Sequence, residues 1–221
     1  MPDYATTRDR VETYFDRSAT KVWERLTSDA PVSRIRQTVR EGRDKMRALM
    51  LAQLPADLTG VRVLDAGCGA GQMTAELAAR GAIVTAVDIS PQLVDIARLR
   101  LPEAYAGRVT FVAGDMTANH GRQDYVVAMD SLIYYDTADL TNALHLLASR
   151  TRNTVIFTVA PRTPFLMTFW TMGKLFPKAD RSPVMVPHAH TTLNREAAGA
   201  VTKIARINRG FYISECLEYR P

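Results

Sequence analysis

The stretch Val61-Arg62-Val63-Leu64-Asp65-Ala66-Gly67-Cys68-Gly69-Ala70-Gly71 limits what this chain can fold into more than any other. Val61, Val63 and Leu64 are apolar and mostly β-branched, and Gly60 bounds them upstream, so they predict a short buried strand ending at Asp65. Alternating glycines then carry a bare turn into a helix whose stripe is Met73, Leu77 and Ala78, with Gly81 as its stop. Such a turn lets a ligand touch the backbone beside the unpaired N–H groups of a helix N-terminus. A dinucleotide fingerprint would need a third glycine at the sixth position from Gly67, where Gln72 stands. Asp65 would also crowd an incoming pyrophosphate.

Composition narrows the field less. The chain has 221 residues, 47% of them hydrophobic and 23% charged, as expected of one globular domain with a substantial core. A formal charge of +5 suits RNA, an acidic membrane surface or a carboxylated substrate without choosing among them. Cys68 and Cys216 make neither a metal spacing nor a disulfide framework, so a reducing cytoplasm is the expected location. The first residues lack the apolar core of a signal peptide, and no apolar run reaches transmembrane length.

From Val61 to about Ala160 strands and helices alternate, the pattern of a parallel sheet covered on both faces. The second strand, Ala82 to Val87, ends at Asp88, and the third, Val109 to Ala113, runs into Gly114-Asp115-Met116. Pro91 fits the first turn of the helix between them. The fourth strand reads Tyr125 to Asp130, a helix covers 137–150, and the fifth strand is Thr154 to Val159. Acids thus end three successive strands, which is hard to assign to chance.

The D-x-G-x-G-x-G turn resembles the first motif of class I S-adenosylmethionine-dependent methyltransferases. That resemblance implies that Gly67, Gly69 and Gly71 pass under the methionine part, with Asp65 facing its ammonium. Asp88, with its neighbour Ile89, is implied to meet the ribose diol, and Asp115 the adenine amino group, the Met116 N–H reaching the ring. Asp130 completes the implied cofactor set. The expected fold is therefore α/β: a Rossmann-like class I methyltransferase sheet with an N-terminal helical arm and a lid insertion after strand five. The expected division is an arm over 1–58, a core over 59–160 and 193–221, and a substrate-facing insertion over 161–192.

Two helical stripes make up the arm. The first runs through Val11, Tyr14, Phe15, Val22, Trp23 and Leu26, with a possible break and new cap at Ser18. After a turn at Asp29-Ala30-Pro31 the second runs through Ile35, Val39, Met46, Leu49, Met50 and Leu54, stopped by Pro55. Arginines 34, 36, 40, 43 and 47 could form an RNA face, but Glu41 and Asp44 among them favour an ordinary solvated face. Arms of this kind often cross the cofactor mouth in class I methyltransferases, which makes Tyr14 and Phe15 candidate lid residues. Tyr134 and Tyr135 follow strand four, at the carboxyl end of the sheet where ligands gather, and are candidates for facing the substrate. The insertion holds five of the chain's eleven prolines and a dense apolar stretch with Phe165, Phe169 and Trp170. It is too short to span a bilayer, though long enough to dip into an interface or wall a substrate. A helix near 193–201 and two strand-like runs, Lys203 to Asn208 and Phe211 to Tyr219, close the chain around Arg209-Gly210.

Further segments carry a closer resemblance: Tyr14-Phe15-Asp16 with Trp23, Glu41-Gly42-Arg43, Met129 to Tyr135, Leu175-Phe176-Pro177, and Arg206-Ile207 with Gly210-Phe211-Tyr212. With the first motif and its Cys68, they make the chain similar to the magnesium-protoporphyrin IX O-methyltransferase family along essentially its whole length. The resemblance implies methyl transfer to a propionate of a magnesium porphyrin, giving the monomethyl ester in chlorophyll and bacteriochlorophyll synthesis; another apolar acid or RNA is the alternative substrate. It implies catalytic roles for Tyr14, Tyr134 and Tyr135, Arg43 or Arg162 on a propionate, Phe165, Phe169 and Trp170 against the macrocycle, and His188 as a candidate axial ligand of the substrate's magnesium. Family members often carry a histidine where Tyr134 stands, so no imidazole base is carried over to that place. Magnesium enters with the porphyrin, and no protein-bound metal and no nucleic acid are expected. A magnesium-chelatase subunit and the surface of the inner membrane are the candidate partners in delivery.

Overall fold

The structure is a computed structural model that describes residues 4–14, 33–164, 166–167, 185–198 and 200–220. Helices α1 (Tyr4–Tyr14) and α2 (Arg34–Leu51) come first, then β1 (Arg62–Ala66), α3 (Gln72–Ala79), β2 (Ile83–Asp88), α4 (Pro91–Arg100) and β3 (Val109–Ala113). They are followed by β4 (Gln123–Ala128), α5 (Thr137–Ala148), β5 (Thr151–Pro161), β6 (Pro187–His188), α6 (His190–Glu196), β7 (Val201–Arg209) and β8 (Tyr212–Tyr219).

The sheet runs β3-β2-β1-β4-β5-β8-β7, with β6 pairing the end of β5. Strands β1 to β5 are parallel, while β8 is antiparallel to β5 and β7 to β8. Alternation along the buried strands decides what covers each face. Leu64, Ala66, Val126, Ala128, Val155 and Phe157 join Leu140, Leu144 and Leu193 from α5 and α6. Val63, Val127 and Ile156 instead join Met46 and Met50 of α2 and Leu77 of α3. Fully burying one such side chain contributes about 1.5–3 kcal/mol. A one-residue slip would move every one of them to the wrong cluster, so the register is strongly fixed.

Helix starts follow their caps. Ser90 accepts from the Leu93 N–H ahead of Pro91, and Asp136 accepts from the Asp139 N–H at the head of α5. The strand order reverses between β1 and β4, and the carboxyl ends of those strands open the crevice where open α/β sheets take ligands.

Several boundaries differ from the sequence expectation. β5 is longer at both ends, because Gln123 of β4 pairs Thr151 at its start and β6 pairs Ala160 and Pro161 at its end. The helix expected near 193–201 starts at His190 and ends at Glu196, and Ala198 takes a left-handed backbone just after it. β6 and the start of α6 therefore knit the last part of the 161–192 stretch into the core. Ile35 belongs by sequence to the apolar stripe of α2 yet is 55% exposed in its first turn. Phe15, Ser18, Val22, Trp23, Leu26 and the turn at 29–31 lie outside the described residues.

Candidate active site

The glycine turn is tied to the neighbouring strand by backbone bonds: the N–H groups of Gly67 and Cys68 both donate to the Val87 carbonyl, at 2.8 and 2.9 Å. Gly71 has φ +84, and a Cβ there would lie 2.9 Å from the Ala97 Cβ. This glycine brings α3 against α4. Gly67 and Gly69 line the cavity that opens over the turn, and Gly71 is not among its lining residues. Of the three glycines expected to pass under the cofactor, the first two line the cavity and the third packs one helix on another.

The three strand-end acids converge on this cavity, whose volume is about 1000 Å³ including its open mouth. Asp65 is 1% exposed and accepts from the Thr74 hydroxyl at 2.6 Å. Burial pushes its carboxyl up to about 7; the Thr74 hydroxyl opposes that rise and the nearby Asp88 charge adds to it. Asp88 accepts from the Gly69 N–H at 2.8 Å on one oxygen and from the Ser90 N–H at 3.0 Å on the other. Ile89 and Met116 supply apolar wall.

Asp115 is engaged more heavily than the sequence suggests. Its Oδ1 accepts from the Tyr4 hydroxyl at 2.8 Å, the Thr117 N–H at 2.8 Å and the Thr117 hydroxyl at 2.7 Å, and its Oδ2 from Arg8 at 3.4 Å. Burial raises its pKa, but these donors outweigh that and hold it below the usual carboxylate value. Tyr4 also stacks on Tyr135, ring centroids 4.8 Å apart, and Val11 packs on Leu93. Tyr4, Arg8 and Val11 thus bring α1 over the cavity. Sequence placed Val11 on the apolar stripe of the arm but singled out neither Tyr4 nor Arg8, although their spacing puts all three on one helix face.

On the other side stand Arg43, Arg47, Asp130 and Tyr134. Arg43 pairs with Asp130, and Arg47 bridges Glu76 and Asp44. For these two arginines the solvated-face reading is corrected: their side chains are only 16% and 15% exposed, and Arg43 reaches the cavity-lining Asp130 while Arg47 reaches Glu76 of α3. Ser131 hydrogen-bonds the Ala66 carbonyl at 2.7 Å, joining the segment after β4 to the glycine turn. Burial, with the Asp130 charge adding to it, raises the Tyr134 phenol, which therefore stays protonated at ordinary pH.

Other expected site residues lie elsewhere. Tyr14 packs with Tyr134 around Val11 and Leu93 and is not among the cavity-lining residues. Arg162 is exposed and does not line the cavity, because its N–H continues the β5–β6 pairing to the His188 carbonyl. His188 as an axial ligand is corrected: it is 2% exposed, with Nε2 3.1 Å from the Tyr135 carbonyl and Nδ1 3.4 Å from the Thr137 hydroxyl. Burial lowers its pKa, and it serves the interior beneath Tyr135. Phe165, Phe169 and Trp170 lie outside the described residues.

A doubly covered parallel sheet, a glycine turn at its switch point and acids closing successive strands define a class I S-adenosylmethionine-dependent methyltransferase. Residues 63–154 match a methyltransferase domain model, and 128–221 match the model of the magnesium-protoporphyrin IX methyltransferase C-terminus. The chain is 62% identical over 224 residues to the magnesium-protoporphyrin O-methyltransferase of Rhodobacter capsulatus, covering 100% of both chains. Two crystal structures of magnesium protoporphyrin IX methyltransferase from Synechocystis PCC 6803 are also similar. The one with bound SAH has 28% identity and a TM-score of 0.81, covering 97% of this chain and 100% of that one. The one with bound SAM has 26% identity and a TM-score of 0.78, covering 97% of each. The chain belongs to the magnesium-protoporphyrin O-methyltransferase family. The cavity's chemistry fits the family's methyl donor: carboxylates for hydroxyl and amino groups, backbone N–H groups, and an apolar wall for a purine.

Proposed function

We propose that the cavity beneath α1 holds S-adenosylmethionine and the reacting end of a magnesium porphyrin side by side. The chain is an S-adenosylmethionine-dependent O-methyltransferase that converts a propionate carboxylate of magnesium protoporphyrin IX into the monomethyl ester, a step of chlorophyll and bacteriochlorophyll synthesis. S-adenosylmethionine supplies a methyl group already activated on a sulfonium. Asp65, Asp88 and Asp115 would hold it, with Gly67, Gly69, Ile89 and Met116 forming the bed. The observation that carries this reading is the convergence of those acids on one cavity that also contains Arg43 and Tyr134.

A propionic acid titrates near about 4–5 and is already an anion at neutral pH, so the reaction needs no general base. Aligning the carboxylate oxygen with the methyl group contributes on the order of 7–11 kcal/mol. The residues' task is therefore to desolvate and orient. Arg43 would receive a carboxylate, and Tyr134, kept protonated, would donate a hydrogen bond to it. Tyr135, pinned by Tyr4, and Tyr14, behind Tyr134, would shape the wall. Phe165, Phe169 and Trp170 are proposed, on composition alone, to face the macrocycle.

Delivery is proposed to occur from a magnesium-chelatase subunit, since an apolar macrocycle is poorly carried free in water, to an enzyme in the cytoplasm touching the inner membrane. Exposed Ile35 and Phe211 beside Arg34, Arg36 and Arg209 support contact with an anionic surface. No helix among the described residues is long and apolar enough to cross a membrane. The test is incubation with labelled methyl donor and magnesium protoporphyrin IX, against metal-free protoporphyrin and bulk RNA. Label should enter a base-labile ester of the magnesium porphyrin. Preferential labelling of RNA would overturn the assignment.

A further inference from the structure

The cluster around Asp130 gathers four elements that a cofactor acid alone would not require. Asp130 follows β4 in a left-handed backbone, φ +55, which aspartate tolerates better than most residues. Its N–H donates to the Thr158 hydroxyl of β5 at 2.7 Å, and that hydroxyl donates back to Oδ1 at 3.2 Å. The Tyr212 hydroxyl, from the start of β8, lies 3.0 and 3.3 Å from the two carboxylate oxygens. Arg43 of α2 donates to Oδ2, and the two side chains are only 16% and 8% exposed.

Gly42 makes the arrangement possible. A Cβ at that position would lie 2.6–2.8 Å from Cδ1, Cβ and Cγ of Tyr212, so only glycine lets the ring lie against α2 while its hydroxyl reaches Asp130. The next residue on the helix then sends Arg43 to the same carboxylate. Asp130 and Arg43 line the cavity with Tyr134, and Tyr212 does not.

The charge balance gives this geometry a purpose. An anionic propionate entering beside Asp130 would be repelled by a bare carboxylate in a half-dry cavity. With Arg43 fixed on it, that wall is neutral overall and presents a guanidinium of set orientation. Arginine has a long, rotamer-rich side chain, and anchoring it before the substrate arrives lowers the ordering cost of binding. We propose that Asp130 and Tyr212 are positioning residues that hold the Arg43 guanidinium at the cavity wall to receive the substrate carboxylate. The proposal rests on the reading of Arg43 given above and reassigns Asp130 from the cofactor to the substrate side.

The test measures KM for magnesium protoporphyrin IX, affinity for S-adenosylhomocysteine and the melting temperature on Arg43→Met, Tyr212→Phe and the double variant. Arg43→Met should raise KM roughly tenfold or more, and Tyr212→Phe by roughly three- to tenfold, as expected for losing bonds to charged groups. S-adenosylhomocysteine affinity should hold in each. The double variant should be no worse than Arg43→Met alone, because Tyr212 acts only through Arg43. Should Tyr212→Phe fail to fold, Asp130→Asn, which keeps shape and tolerates the left-handed backbone, answers the same question in both backgrounds. An unchanged KM in Arg43→Met overturns the reading of Arg43 and the proposal with it. A raised KM there with an unchanged KM in Tyr212→Phe overturns the proposal alone. So do additive effects in the double variant, or a joint loss of melting temperature and S-adenosylhomocysteine affinity, which would mark a structural tie.

Discussion

A carboxylate as deeply buried as Asp65 ionises only against the cost of leaving water. Its folded value of about 7, against an ordinary 3.8, means that the folded chain keeps the proton over a range where the unfolded chain has lost it. Stability from this group is therefore fully present below the ordinary value and is lost as pH rises through about 7. A cationic ammonium beside it reverses the preference. Binding of S-adenosylmethionine near about pH 6 should release up to about one proton, and affinity should rise toward about pH 8. Calorimetry in buffers of different ionisation enthalpy reads the release, and Asp65→Asn should abolish it. At Tyr134 the burial that keeps the phenol protonated makes it a dependable donor. Tyr134→Phe should lower kcat about tenfold or more, with S-adenosylhomocysteine affinity unchanged, for the loss of one bond to a charged oxygen. An unaffected kcat would remove Tyr134 from the reaction.

At the scale of elements, α1 covers one side of the cavity through Tyr4, Arg8 and Val11. Two of its side chains bond Asp115, one ring stacks on Tyr135, and Val11 is its only buried residue. A helix of this length has little stability of its own, so its position depends on those ties. Tyr4→Phe with Arg8→Ala removes the two hydrogen bonds to Asp115, together about 1–3 kcal/mol. Release of S-adenosylhomocysteine, followed by stopped-flow displacement, should quicken by roughly tenfold, the size that this loss implies. The melting temperature should barely move, since the core clusters on the two faces of the sheet are untouched. An unchanged release rate would mean that α1 does not gate the cofactor.

For the whole molecule, the C-terminal hairpin completes the sheet, and Glu215 ties its edge strand. That carboxylate is 3% exposed and takes Lys203 at 2.6 Å and Arg206 at 2.6 and 2.8 Å. Burial alone would raise its pKa, and the two cations more than reverse that, leaving it lowered. Its contribution is thus present above the ordinary value of 4.5 and is lost as pH falls through the lowered folded value. Glu215→Ala leaves two cations side by side over an emptied site. It should cost about 1.5–3 kcal/mol, read by denaturant melts, while S-adenosylhomocysteine affinity stays unchanged. A loss of cofactor affinity equal to the loss of stability would mean that the hairpin also shapes the cofactor site.

Local pattern determined the parallel core and the glycine turn with its strand-end acids, because each signal there is contiguous in the chain. A β-branched run, a glycine spacing and an acid at a strand end all act on the backbone within a few residues of themselves. The same held for the Pro91 helix start and the Gly210 hairpin. What only the tertiary structure decided depends on residues far apart in sequence. His188 reads as a ligand until β6 folds it under Tyr135, and Arg162 reads as a propionate clamp until its strand pairing leaves its side chain outside. Arg43 and Arg47 look like surface charge until the packing of α2 gives them Asp130 and Glu76. Tyr212 carried the family resemblance but no reason for it. That reason is a hydroxyl meeting Asp130 across 82 residues of chain, through space that Gly42 leaves empty. Side-chain partners at such separation are set by packing geometry, and the order of residues along the chain does not encode it locally.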